Sequence, residues 1–436
     1  MTENILHAKN SNSRPIKAIS RSVQILFCIF ALYMVLPIVD VPLLGLSLSA
    51  PIFFIITILV FFQPKRPWLR RYRRWVTMAG LIWLGILSSG ILNGLLSGGI
   101  DFDSDGLLTI VRYAYWLLVF VVTAYLVSEG RLGPLVARML GWGAFVLALL
   151  RWVEVFRYGN IGAWTGTHLM SQNSYGFLFS MFSPFLFTML LENRGRARWL
   201  AAVANLTLWG AAAINGSRGS WIAIAVTAMS QIILLSTIHP RRSARLIFMV
   251  VLSIIIGLLV LSTPSRVTRA VESRFSTFNN LQEDKSYVIR LLMNQKALLL
   301  FQESPVIGVG PARFRKETIQ LELPVVLSYA DQAHFDQKSA HNSYLGYLAE
   351  TGLAGALPFG ILVLTFVFKG GFSAIAMVKC GQLWAAAVYG GFIGMSIHMW
   401  VINSLTNSAN WMVYGLVAAM IVTAGQLKLG RGEKQR

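Results

Sequence analysis

Twelve stretches of the chain are almost continuously apolar: residues 22–39, 43–62, 76–97, 107–127, 135–153, 173–191, 199–215, 219–237, 245–262, 342–368, 382–402 and 409–427. Each is close to the ~20 residues that a helix needs to cross a hydrocarbon core of ~30 Å. Inside a bilayer, backbone amides and carbonyls must pair within their own segment, which a helix achieves. The pattern predicts an all-α integral membrane protein of about twelve transmembrane helices. It divides into spans one to nine over residues 1–262, a polar segment over 263–341, and the last three spans with a tail over 342–436. Basic residues precede the first run, as in a signal peptide, and Ser47-Leu48-Ser49-Ala50 loosely resembles a cleavage site. Pro37 and Asp40 within that region, and the many spans after it, favour an uncleaved first span.

Composition agrees: 55% of residues are hydrophobic and 13% charged, with a mean hydropathy of +0.61. A soluble domain could not cover that much apolar surface. The net charge of +20 invites a nucleic-acid reading, but its placement argues otherwise. The links PKRPWLRRYRR, EGRLGPLVAR, ENRGRAR and HPRRSAR and the tail KLGRGEKQR are all basic, whereas DFDSDG and NSLTNSAN on the other side carry no Lys or Arg. Short basic links mark the cytoplasmic face, so both termini are expected in the cytoplasm and no nucleic-acid partner is expected. The two cysteines, Cys28 in the first run and Cys380 in a basic connection, suggest neither a disulfide framework nor a metal site.

The polar segment 263–341 interrupts the rhythm on the outer face. Ten basic residues stand against eight acidic ones, so its arginines matter individually if they matter at all. Residues 284–301 (DKSYVIRLLMNQKALLLF) mix apolar and charged positions at near-helical spacing, and Pro305 stops them. Val288, Leu291, Leu292, Leu298 and Leu299 are expected to form one face, with Arg290 and Asn294 on its neighbour. GVGPARF then reads as a turn followed by another short helix.

The candidate chemistry clusters at this outer boundary. His341 opens the tenth span, with Ser339 as a plausible N-cap. In the first turn the helix dipole disfavours imidazolium. A neutral imidazole there could accept a proton, or simply meet lipid head groups at the interface. Arg218 lies in the tight turn INGSRGSW between spans seven and eight, where Ser220 could cap the next helix. A guanidinium beside helix amides suits an anion, above all a phosphate, although an arginine there could also snorkel to head groups. Arg290, on the external helix, could hold an anion or pair with Glu283 or Asp284. Asn342, Arg313 and Arg157 are further candidates for substrate contact. Arg151, Glu154 and Arg112 lie close enough to the interface to snorkel. Gly308-Val309-Gly310 reads better as a turn than as a phosphate cradle, and DFDSD at 101–105 better as a solvated loop than as a cation site. No HExxH or DxD-like cluster occurs on the outer face.

The outer GSRGSW turn, the external helix with Arg290, then ESPVIGVGPARF and HNSYLGYLAETGLAGALPFG resemble the O-antigen ligase family, whose signature region is shared with O-antigen polymerases. The sharp motifs lie within about residues 215–360; the N-terminal half matches only in span pattern. The resemblance implies a multi-pass inner-membrane glycosyltransferase of the bacterial envelope. It would move glycan from undecaprenyl diphosphate to the lipid A core on the periplasmic side, without metal or other cofactor. It places the family's essential histidine on His341 and its two essential arginines on Arg218 and Arg290. Membrane lipids are the remaining expected partner. A polymerase and a protein O-oligosaccharyltransferase share the same donor and remain alternatives. A flippase or transporter of the lipid-linked glycan is a fourth reading, although transporters place charge near the midplane and these spans are nearly free of it.

Overall fold

The computed structural model describes residues 19–36, 49–62, 71–96, 104–158, 170–236, 238–262, 284–319 and 338–432, with isolated positions between 263 and 283. The described residues form helices α1 (Arg21–Val35), α2 (Ser49–Phe61), α3 (Arg73–Leu96), α4 (Ser104–Glu129), α5 (Gly133–Tyr158), α6 (Gln172–Glu192), α7 (Gly195–Ile214), α8 (Arg218–Ser236), α9 (Pro240–Leu261), α10 (Lys285–Glu303), α11 (Ser343–Thr365), α12 (Gly371–Lys379), α13 (Trp384–His398) and α14 (Ser408–Gly432). A π-helical turn, Phe366–Gly370, joins α11 to α12.

All twelve expected spans overlap a helix. Nine helical stretches among the described residues are long and apolar enough to cross a membrane, and α11 to α12 counts as one of them. Three of the expected spans are shorter helices: α1, α2 and α13. The tenth span also runs further than expected, to Lys379. Cys380 is therefore the C-cap of that stretch and sits at its end. The surroundings of Pro37, Asp40 and residues 101–103 lie outside the described residues, as do Arg266, Arg274, Glu283 and residues 320–337.

α6 is buried along nearly its whole length, as befits a helix apolar on every side. It packs between α5, α7, α8 and α13, while α14 packs on α4 and α13. Pro184 inside α6 has no amide to give the Ser180 carbonyl, which instead accepts the Thr227 hydroxyl of α8 at 3.4 Å. The Gln231 amide on α8 donates to the carbonyls of Pro184 (3.1 Å) and Ala386 (3.3 Å), joining three helices. Polar side chains of this kind hold helices together where apolar burial alone gives no preference over lipid.

The segment after α10 docks on α11 through the main chain. Leu353 N donates to Pro305 O, Ala354 N to Val306 O, Val309 N to Ala349 O and Gly310 N to Glu350 O, at 2.9–3.0 Å. α11 can receive these bonds because Gly352 (φ 55°) breaks its helical geometry. A Cβ at Gly352 would strike the backbone of Val306 and Gly308, and one at Gly308 would strike that of Glu350. The Glu350 carboxylate accepts the Phe314 amide (3.4 Å) on the same seam. GVGPARF and ETGLAG are thus two halves of one joint. The short helix expected after GVGPARF does not form: residues 311–319 make turns and irregular backbone.

This joint fixes α10 against α11. The buried face of α10 is Val288, Ile289, Leu292, Met293, Lys296, Ala297 and Leu300, while Leu291 and Leu298 are exposed. The expected face was rotated because Lys296 sits inside the true one, with its ammonium 5.1 Å from the centre of the Phe314 ring. A cation over an aromatic face is a stabilised way to bury charge. Arg151 and Glu154 do not snorkel either. They are buried and paired at 3.1 Å, with the Arg151 guanidinium 5.4 Å from the Tyr175 ring centre.

Candidate active site at four helix ends

The starts of α8, α10 and α11 and the end of α13 meet at one end of the bundle. α11 begins at Ser343, and Asn342 is its N-cap: the Asn342 side-chain oxygen accepts the amides of Tyr344 (3.0 Å) and Leu345 (3.1 Å). Ser339 does not cap it, and His341 stands just before the cap rather than in the first turn. Ser343 locks the helix start to the chain after α13. Its amide donates to Met399 O (2.8 Å) and its hydroxyl to Ile402 O (2.6 Å).

Arg218 is the first residue of α8. Gly216 (φ 69°) turns the chain just before it. Asn215, fully buried, donates its amide to Gln172 O at 2.7 Å, and this fixes the turn to the start of α6. Ser220 is not the cap. It lies within α8, and its hydroxyl donates back to the Ser217 carbonyl (2.6 Å).

The guanidinium of Arg218 forms an ion pair with Asp284, whose side chain also caps α10 by accepting the amides of Ser286 (2.9 Å) and Tyr287 (3.4 Å). The expectation that Asp284 might pair with Arg290 gives way to this arrangement. Burial opposes ionisation of Asp284, but the Arg218 guanidinium and the two amides outweigh it and hold its carboxyl below the usual carboxylate range. Arg290, one and a half turns along α10, donates to the Ser286 carbonyl (3.1 Å) and hydroxyl (2.7 Å). Its Nε is buried with no partner. Burial, then the nearby Arg218 charge, lower the Arg290 pKa, against the pull of Asp284.

His341 belongs to the same electrostatic group. Burial first, then the charges of Arg290 and Lys338, push its pKa down to about 4. At neutral pH the imidazole is uncharged, so one ring nitrogen has a free lone pair. The three residues singled out in the sequence are therefore linked in series: Arg218 to Asp284 at the cap of α10, Arg290 within reach of both, and His341 within reach of Arg290. Arg313 lies elsewhere, on the turn with its methylenes against Gly310, and Arg157 is in the exposed last turn of α5. Neither joins the group in the described contacts.

Sequence reasoning passed over His398, the last residue of α13. It is 1% exposed, and neither ring nitrogen has a hydrogen-bond partner. Its Nε2 lies 3.8 Å from where a Cβ on Gly219 would stand, so it faces the first turn of the helix that Arg218 opens. It is also within electrostatic reach of Arg290. A histidine ending an apolar run gives no sequence signal beyond that of an interfacial residue.

A cavity of about 330 Å³ adjoins the His341 segment, lined among others by Ser339, Ser343, Arg112, Arg315, Lys316 and Glu350. Asp105, from the DFDSD segment, also lines it and pairs with Lys316 at 3.0 Å. Among the described residues no three His, Cys, Asp or Glu side chains gather as a metal site would require.

Comparison with curated proteins gives no match. Residues 202–360 match the family model described as O-antigen ligase. The matched stretch runs from α7 into α11 and contains Arg218, Arg290, His341 and Asn342, together with both halves of the joint that holds α10. Over residues 202–360 the chain is thus similar to the O-antigen ligase family.

Proposed function

We propose that the protein transfers O-antigen glycan from undecaprenyl diphosphate to a sugar hydroxyl of the lipid A core. It would act at the periplasmic face of the inner membrane, with all twelve apolar segments spanning and both termini in the cytoplasm. The observation that carries this reading is the linked placement of two arginines and one neutral histidine at four converging helix ends. The family match supports the pathway, and the basic links support the orientation.

The chemistry follows from those groups. The acceptor oxygen attacks the anomeric carbon of the donor, a C–O bond forms, and the bond to the diphosphate breaks with its electron pair. Direct displacement inverts the anomeric centre. Negative charge grows on the leaving diphosphate, where the forked donors of Arg218 and Arg290 can meet it. The acceptor hydroxyl loses its proton to His341, acting as general base. A pKa of about 4 makes His341 a weak base in the free protein. Two arginine charges surround the site, and a bound diphosphate offsets them. An anion near imidazole favours its protonated form, so donor binding raises the basicity of His341 when the base is needed. We place the acceptor sugar in the adjoining cavity, where Arg315 and Lys316 suit a phosphorylated saccharide.

The test is reconstitution of purified protein with undecaprenyl-diphosphate glycan, with and without lipid A core. Transfer to the core is expected. Lengthening of the donor glycan instead would identify a polymerase, and absence of any transfer would favour transport. His341→Ala and Arg218→Ala should each lower kcat about 100-fold or more, the range of a lost general base or charge-stabilising group. A wild-type rate from either variant would remove that residue from the mechanism.

A further inference from the structure

At the opposite end of the bundle, the links ENRGRAR and HPRRSAR carry charge that fixes orientation. That requirement says only that each link be basic. The fold does more with them: it brings both to one cavity of about 420 Å³, lined by Arg194, Arg198, Arg241, Arg242, Arg245 and His239, with Glu192 as its one acidic wall. The residues come from the end of α6, the start of α7 and the start of α9. Five arginines therefore line one space, and the first turns of two helices open beside it. Arg198 spends one bond on the Asn193 carbonyl (2.9 Å) and His239 approaches Val378 O (3.3 Å). Arg242 keeps its Nη1 buried with no hydrogen-bond partner. A buried donor left unpaired is destabilising, and an anion in the cavity would relieve it.

The surroundings say what kind of anion fits. Next to Arg198 on α7, Trp199 is 76% and Leu200 60% exposed; next to Arg245 on α9, Phe248 is 64% exposed. On a membrane helix such faces lie against acyl chains. A free phosphate would use only the cationic pocket, whereas a phospholipid would use the pocket for its phosphate and the flanking apolar faces for its tails.

We propose that this cavity is a binding site for an anionic phospholipid of the cytoplasmic leaflet, with the Arg241, Arg242 and Arg245 guanidinium groups as its phosphate ligands. Arginine forks suit phosphate oxygens in pairs, and basic pockets between helix ends at this face are a recurrent way to hold lipid head groups. The site stands apart from glycan transfer and does not depend on it.

Native mass spectrometry of the full-length protein, purified with equal phosphatidylglycerol and phosphatidylcholine, reads the proposal directly. Wild-type protein should retain phosphatidylglycerol about tenfold over phosphatidylcholine: both present the phosphodiester, but the choline cation of the second sets like charge against the arginine cluster. Inorganic phosphate at millimolar concentration should not displace it. Arg242→Gln leaves four arginines to hold the topology and should lower the preference about fivefold; the Arg241→Gln/Arg242→Gln/Arg245→Gln protein should abolish it. Equal retention of both lipids by the wild type, or an unchanged preference in Arg242→Gln, overturns the site. Displacement by inorganic phosphate overturns the lipid assignment in favour of a soluble anion.

Discussion

Asp284 pairs with Arg218, the guanidinium that the proposed mechanism assigns to the donor diphosphate. The side chain has two roles that substitution can separate. It caps α10 through the amides of Ser286 and Tyr287, and it neutralises Arg218. Asparagine caps a helix about as well as aspartate, whereas alanine loses about 1 kcal/mol. Asp284→Asn therefore keeps α10 while removing the competing charge. The Arg218 and Asp284 side chains are 15% and 11% exposed, which places the pair at or above the ~1 kcal/mol upper value for surface pairs. A ligand that no longer displaces it gains about that much, or about fivefold in Kd. The assay is binding of undecaprenyl diphosphate to nanodisc-embedded protein, with thermal melting alongside. Asp284→Asn should bind about fivefold more tightly with its melting temperature little changed. Asp284→Ala should share the gain in affinity but lose stability. Weaker binding by a well-folded Asp284→Asn would refute the reasoning, because the carboxylate would then be holding Arg218 in place for the ligand. The depressed Asp284 pKa adds a sign. The stability that the pair contributes is present above the ordinary carboxyl value of 3.8 and is lost as pH falls through the lower folded value.

Two further outcomes follow from the other titratable groups. His398→Leu removes two buried nitrogens that have no partner, so its melting temperature without ligand should equal or exceed that of the wild type; a clear drop would show that His398 is a structural histidine. His341 has a folded pKa of about 4 against 6.5 unfolded, so the unfolded chain binds more protons between those values. Stability should fall as pH drops from about 6.5 to 4, and His341→Gln should flatten that part of the pH–stability curve; an unchanged slope would place the imidazole in a solvated setting.

Much of the architecture was legible from apolar run length, because lipid leaves a chain few options. The positions of Arg218, Arg290 and His341 were legible from charge at the helix boundaries and from the motifs around them. What escaped depends on contacts between distant segments. Ser339 and Asn342 both satisfy cap chemistry, and only the tie of Ser343 to Met399 and Ile402 decides between them. The face of α10 was misread because Lys296 looks solvent-bound until Phe314 is placed beneath it. Asp284 could be matched to Arg290 by proximity along the chain, while its actual partner lies 66 residues away. His398 was silent because its meaning comes from bonds it does not make.

The seam between residues 305–310 and 349–354 uses peptide groups on both sides. Such a junction makes few demands on side-chain identity. Gly308 and Gly352 are the exceptions, because any substituent there would pry the two backbones apart. The placement of α10 against α11 is therefore set by main-chain hydrogen bonds, whose length varies little from one side chain to another. Under the proposed function, exposed lining residues can change without moving α10 relative to α11.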